Sequence, residues 1–301
     1  MEPVYLNTFH NGTLKERLSV LRDRLKCCTL CPRKCKVNRL SGETGICNTA
    51  EYAFVSSYMP HFGEESPLVG RHGSGTIFFT HCNLLCNFCQ NYDISHQGHG
   101  HQVTERELAD MMLSLQTLGC HNINFVTPSH VVPQILVALY LAIEDGLLLP
   151  LVYNSSGYDL VDTLLFLDGI VDIYMPDFKF WNPEISKKTC NAPDYPEIAK
   201  AALKEMHRQA GDLVLDHHGI AVKGVLVRHL VMPENMAGTM EVMKYIASNI
   251  STNTYVNIMP QYRPCGKAYE QPPLNRSITH KEFYDAIDMA KIAGISRLDK
   301  W

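Results

Sequence analysis

From residue 75 onward the chain repeats one rhythm, a short run of β-branched or aromatic residues followed by a longer segment of helical period. The strand candidates are 76–80, 123–127, 149–154, 170–175, 224–232 and 255–259. All are apolar enough to be buried on both faces, which favours parallel strands covered by helices. A helix candidate follows each one, at 104–118, 132–144, 160–167, 193–210, 234–250 and 281–293. The first of these opens on Thr104-Glu105-Arg106-Glu107, the form of a capping box. Successive βα units need right-handed crossovers, and these curl the sheet into a barrel or partial barrel. The expected fold is α/β, a (β/α)6 partial TIM barrel.

In such a barrel the reactive groups collect where the strands end. The polar oddities of this chain fall there: His81 to Asn91 after the first strand, Thr127-Pro128-Ser129-His130 after the second, and Asn154-Ser155-Ser156-Gly157 after the third. Asp177-Phe178-Lys179 follows the fourth, Arg228-His229 lies within or near the end of the fifth, and Gln261-Tyr262-Arg263 follows the sixth. Residues 1–74 show little strand character. An amphipathic stretch at 14–25 leads into a cysteine-rich segment, and we expect an N-terminal extension, 1–74, packed against a barrel domain, 75–301.

The densest chemical signal is the C-x3-C-x2-C spacing of Cys82, Cys86 and Cys89. Three thiolates hold three irons of a cubane 4Fe-4S cluster and leave one iron open, whereas an electron-transfer cluster normally has four. An open corner is where a substrate or cofactor binds. Zinc is the competing reading, but zinc sites favour C-x2-C pairs and four ligands, and no fourth Cys or His at a comparable spacing completes this set. Cys28, Cys31, Cys35 and Cys47 form a second ligand-like set. Structural zinc, a closed auxiliary 4Fe-4S cluster and unligated thiols all remain open for it. Cys120, Cys190 and Cys265 stand alone and read as buried thiols, with Cys265 on the active rim.

Eleven cysteines bunched in two groups suit metal ligation in a reducing cytoplasm better than a disulfide framework. A net charge of −4 gives no bulk electrostatic case for nucleic acid. The start of the chain lacks the basic and apolar regions of a signal peptide. The longest apolar stretch, 131–153, is interrupted by Glu144-Asp145-Gly146 too early for a membrane span. A soluble cytoplasmic protein is expected.

The run Cys82 to Asn91 followed by Ile94-Ser95 resembles the radical S-adenosylmethionine (radical SAM) superfamily. With Cys31-Pro32-Arg33-Lys34-Cys35, Gly42-Glu43-Thr44-Gly45-Ile46-Cys47 and Tyr153-Asn154-Ser155-Ser156-Gly157-Tyr158, the chain resembles the pyruvate formate-lyase activating enzyme-like (PflX-like) proteins and the AMMECR1-Memo-associated radical SAM branch. The resemblance implies a 4Fe-4S cluster on Cys82, Cys86 and Cys89, with S-adenosylmethionine chelating the fourth iron. It implies reductive cleavage to a 5'-deoxyadenosyl radical, fed by a low-potential donor of flavodoxin or ferredoxin type. A glycine of a partner enzyme is the first substrate implied, with another peptide or a small molecule next. A non-catalytic iron–sulfur or zinc scaffold is the contrasting class.

Cofactor contacts then fall on Phe88, Thr127, Ser129, Asn154, Ser156, Asp177 and Arg228, with Lys179 beside them. Each has a plainer reading: Phe88 as a loop aromatic, Ser129 as a helix cap, Asn154 and Ser156 as turn residues, and Asp177 with Lys179 as a rim ion pair. Arg228 in an apolar strand needs a carboxylate, from the cofactor or from the protein. His96, His99 and His101 read as a solvated loop, and Met232, Met236, Met240 and Met243 as core at helical spacing. The chain departs from the activating-enzyme pattern in two places. Its extra cysteines precede the barrel, and Thr127-Pro128-Ser129 replaces the usual Gly-Gly-Glu.

Overall fold

The computed structural model describes residues 2–299; Met1, Lys300 and Trp301, at the ends of the two expected segments, lie outside them. Nine strands form one sheet: β1 (Ala53–His61), β2 (Ser74–Phe79), β3 (His101–Val103), β4 (Ile123–Val126), β5 (Leu151–Ser155), β6 (Ile173–Pro176), β7 (Val214–Leu215), β8 (Ala221–Leu230) and β9 (Tyr255–Met259). Six of them, β2, β4, β5, β6, β8 and β9, run parallel in that order, as the sequence rhythm requires. The burial pattern explains why: β5, β6 and β9 are buried at every position, which only helix-covered parallel strands permit. Helices Glu105–Thr117, Val132–Glu144, Tyr195–Ala210, Thr239–Asn249 and His280–Ile292 cover the outside. The Thr104 capping box forms, with the Thr104 side chain accepting from the Glu107 N–H and Glu107 accepting in return from the Thr104 N–H.

Strand character before residue 75 is greater than expected. β1 pairs antiparallel with β2 through a bulge between Val55 and Ser57, and β3 pairs antiparallel with β1. Pro60 and the half-exposed side chains of β1 blunt its alternation, so the strand was hidden in the pattern. A helix at Pro183–Cys190, capped by Asn182, also precedes the expected one. The fifth crossover helix starts late, at Thr239, because Glu234 and Gly238 adopt left-handed backbone.

The leading helices Tyr5–His10 and Thr13–Arg24 pack beneath the barrel. The Tyr5 hydroxyl donates to the carbonyls of Leu147 and Leu149 at 3.1 and 3.0 Å, and the Val4 N–H donates to Asp172 Oδ1 at 2.9 Å. Leu14, Leu21 and Leu25 join the main core. Among the described residues no helix is long and apolar enough to cross a membrane.

The barrel does not close. No ladder joins β9 to β1, β2 or β3; side chains span the gap instead, with Asn257 Nδ2 donating to Glu65 Oε1 at 2.9 Å and Ser66 Oγ donating to Asp299 Oδ1 at 2.7 Å.

Candidate functional site

All six parallel strands deliver residues to one cavity of about 220 Å³ at their carboxyl ends. Cys82, Cys86, Phe88 and Cys89 come from the loop after β2, Thr127 from the end of β4, Asn154 and Ser156 from β5 and its turn. Asp177 and Lys179 follow β6, Arg228 lies in β8, and Gln261 follows β9. Ser129 does not line the cavity; it is buried behind the rim.

The loop after β2 is held in a shape that the chain would not choose alone. His81 and Leu85 have φ of 63° and 56°, the left-handed region that favours glycine. The turn aims main-chain donors at sulfur: the Leu84 N–H lies 3.4 Å from Cys82 Sγ. Burial nevertheless pushes the Cys82 thiol up to about 12 and raises Cys89, while a hydrogen bond with Cys190, then burial, raises Cys86. Such thiols stay protonated unless a metal takes the proton's place. Among the described residues no three His, Cys, Asp or Glu side chains converge closely enough for a single ion. Three cysteines on the wall of one cavity match the ligand number of a cubane cluster with one open iron.

Opposite the thiols sits a charged network. Arg228 Nε donates to Asp177 Oδ1 at 2.8 Å, and Arg228 Nη2 donates to Asn154 Oδ1 at 2.7 Å. Lys179 Nζ donates to Asp177 Oδ2, and Glu65 Oε1 lies 3.9 Å from Arg228 Nε. The carboxylate that Arg228 requires is thus a protein acid. Burial works to raise the Asp177 carboxyl, but Arg228 and Lys179 outweigh it and hold it below the ordinary range. Burial dominates at Glu65, whose carboxyl is raised although Arg228 pulls it down. Beneath the network, Asp159 accepts from the Tyr153 hydroxyl at 2.9 Å and from Ser155 Oγ at 2.6 Å, fixing the turn that presents Asn154 and Ser156.

Phe88 is buried, edge-on to Phe180 and tilted against Tyr262, while still lining the cavity. Thr127 has φ of 62°, rare for a β-branched residue, and its N–H donates to the Asn154 carbonyl at 2.9 Å. His96, His99 and His101 stay off the cavity; His96 stacks on Tyr92 at 4.0 Å, and His101 enters β3. Met232 and Met243 are buried in the core, and Met236 packs against it. Cys120 is buried and Cys265 half-buried, and neither lines the cavity. Cys190, read from sequence as an isolated thiol, touches Cys86. Glu65 was missed too, since nothing local marks it.

Cys28, Cys31, Cys35 and Cys47 gather around a second recess with Arg39. Arg39 is 1% exposed, donates to the carbonyls of Ala50 and His130 at 2.8 Å each, and leaves Nη2 buried without a partner. An orphaned cationic N–H beside four thiols fits a site that carries negative charge when metal is bound. A Cβ on Gly45 would lie 2.6 Å from Cys35 Sγ, so this glycine lets the chain close over the sulfurs. Between the two sulfur sets stands Arg33, whose guanidinium donates to the carbonyls of Asn83, Leu84, Cys190 and Asn191 at 2.9, 3.1, 2.8 and 2.5 Å.

A six-stranded parallel partial barrel with three cluster-type thiols on its rim defines an enzyme class that builds its chemistry around an iron–sulfur centre. The model described as the Radical SAM superfamily matches residues 76–246, and the chain belongs to that superfamily. It is 33% identical over 285 residues to an uncharacterized protein of Methanocaldococcus jannaschii, covering 91% of this chain and 77% of that relative. Membership implies a 4Fe-4S cluster, S-adenosylmethionine and a low-potential reductant.

Proposed function

We propose that Cys82, Cys86 and Cys89 hold the cluster, and that the rim residues Phe88, Thr127, Asn154, Ser156, Asp177 and Arg228 bind S-adenosylmethionine beside it. When bound, the cluster supplies the electron that splits the sulfonium and releases a 5'-deoxyadenosyl radical. The chain's own task is to bind, orient and exclude water. The buried thiols leave one face of their cavity open, and Phe88 offers an apolar wall. Arg228, neutralised by Asp177, holds the Asn154 amide so that its N–H groups face the cavity. The observation that carries this reading is the convergence of three thiols and one charged network on a single cavity.

The substrate we propose is a polypeptide, with the backbone glycine of a partner enzyme first and a small molecule second. Support comes from an open trough of about 690 Å³ that shares Arg228 and Gln261 with the thiol cavity and runs along the barrel gap past Glu64, Glu65 and Asp299. The N-terminal thiols we assign to an auxiliary 4Fe-4S cluster in preference to zinc, on the buried, unpartnered Nη2 of Arg39 in their recess. Eleven free cysteines support work in a reducing cytoplasm. Anaerobically reconstituted protein reduced with dithionite should yield methionine and 5'-deoxyadenosine, and Cys86→Ala should yield neither. Full turnover by Cys86→Ala would overturn the assignment.

A further inference from the structure

The loop that carries the three thiols has two sides. Cys82, Cys86 and Cys89 face the cavity, but Leu85 and Asn87, which flank Cys86, line a separate groove of about 400 Å³. The groove walls are the end of helix Pro183–Cys190 and the 3-10 turn Gly266–Glu270. Both are fastened to the thiol loop at one residue. The Asn87 N–H donates to the Thr189 carbonyl at 2.9 Å, the Lys267 N–H donates to the Asn87 carbonyl at 2.8 Å, and Asn87 Nδ2 donates to Gln271 Oε1 at 2.6 Å. Cys190 lines the groove, and its thiol lies near enough to that of Cys86 to raise it. One sulfur contact therefore separates this outer surface from a proposed cluster ligand.

The groove is also positive in a chain whose net charge is −4. Lys187, Lys188 and Lys267 line it, all exposed, with no Asp or Glu among the lining residues. No ion pair or side-chain hydrogen bond engages any of the three ammonium groups among the described residues. Lys187 and Lys188 sit in the last turn of a helix, where the dipole favours cations, but Lys267 belongs to another element and converges on the same groove.

We propose that this groove is the docking surface for an acidic one-electron carrier protein, which reduces the cluster across Cys190 and Cys86. The inference rests on the cluster assignment above. One electron leaves the reduced carrier, which is oxidised by one unit, and the cluster gains it; no bond forms or breaks and no proton moves. Lysines around the entry point steer an acidic partner and set its rate of encounter more than the chemistry that follows.

The test uses the reconstituted full-length protein and an acidic flavodoxin in its hydroquinone form. Cluster reduction is followed by stopped-flow absorbance and by the electron paramagnetic resonance of the reduced cluster, and affinity is followed by calorimetry. Wild-type reduction should slow at least tenfold between low and high ionic strength. The variant Lys187→Glu/Lys188→Glu/Lys267→Glu should be reduced at least tenfold more slowly at low salt and bind flavodoxin at least tenfold more weakly. Its dithionite-driven cleavage of S-adenosylmethionine should stay at the wild-type rate, which also establishes that it folds. Equal flavodoxin rates and affinities for the two proteins, or a wild-type rate indifferent to salt, would overturn the docking surface. Failure of dithionite-driven cleavage in the wild type would instead overturn the functional reading.

Discussion

Asp177 holds two buried cations at once, so removing it should cost more than removing either of them. Its side chain is 8% exposed, and those of its partners Arg228 and Lys179 are 19% and 16% exposed. Asp177→Asn leaves both cations facing one amide, with Glu65 at 3.9 Å from Arg228 Nε as the nearest acid. Breaking a buried pair in this way costs about 3–5 kcal/mol, because the remaining charge is stranded. Arg228→Met leaves the Asp177–Lys179 pair intact and strands Glu65, which can protonate, and the neutral Asn154 Oδ1. Its expected loss is about 1–2 kcal/mol, the scale of a buried hydrogen-bonded group removed with its volume kept. Urea denaturation of the anaerobic protein without S-adenosylmethionine measures both. Adding Lys179→Met to Asp177→Asn should recover part of the loss, since one stranded cation is gone. The reasoning fails if Asp177→Asn loses no more than Arg228→Met, or if the added Lys179→Met deepens the loss.

Three further expectations concern the frame around the site. His130 and His229 are buried beside main-chain carbonyls, and burial lowers them to about 3 and about 4. The unfolded chain takes up those protons near pH 6.5, so their contribution is fully present above that value and is lost as pH falls toward 3–4. Between pH 7 and 5 the urea midpoint of His130→Asn should therefore shift less toward lower stability than that of the wild type, since the variant lacks one of these two proton-linked losses. Arg33→Lys cannot reach all four carbonyls that Arg33 joins, and should speed iron loss from the main cluster to a chelator several-fold; iron release at the wild-type rate refutes a clamp. Gly157 has φ of 74°, and a Cβ there would stand 2.2 Å from the Asp177 carbonyl. Gly157→Ala should therefore destabilise the fold by more than about 2 kcal/mol and weaken S-adenosylmethionine binding, and calorimetry showing unchanged affinity would count against its placing Asp177.

The parallel strands were legible because burial on both faces leaves largely apolar runs, as in Ile173–Pro176. β1 was not, because a strand with a bulge and Pro60, paired on its outer side only over Ala53–Val55 with the three-residue β3, resembles a loop when read alone. The helix Pro183–Cys190 had its signals in plain view, Asn182 as cap and Pro183 in the first turn. Rim residues could be found from sequence wherever a polar side chain follows an apolar strand, which is how Asn154, Asp177 and Arg228 were reached. Ser129 shows the limit of that rule, since the backbone reversal at Thr127 carries it behind the rim. Glu65 and Arg33 could not be found this way. Glu65 meets Asn257, 192 positions away, and Arg33 meets Cys190, 157 positions away. Such pairs exist only once the sheet has brought distant segments together.

A sheet that stops short of closing has one direction in which it yields. Elsewhere around the rim, widening the mouth means breaking main-chain ladders, several bonds at a time. Along the line between β9 and the segment after β1 it means parting a few single bonds, each worth about 1 kcal/mol, such as Asn257–Glu65, Ser66–Asp299 and the Lys267 N–H to the Asn87 carbonyl. The molecule is therefore stiff around most of its circumference and pliant along a single meridian. Because Glu65 on that line also lies against Arg228, a bulky guest that wedges the mouth apart shifts the charge facing the guanidinium by the same movement.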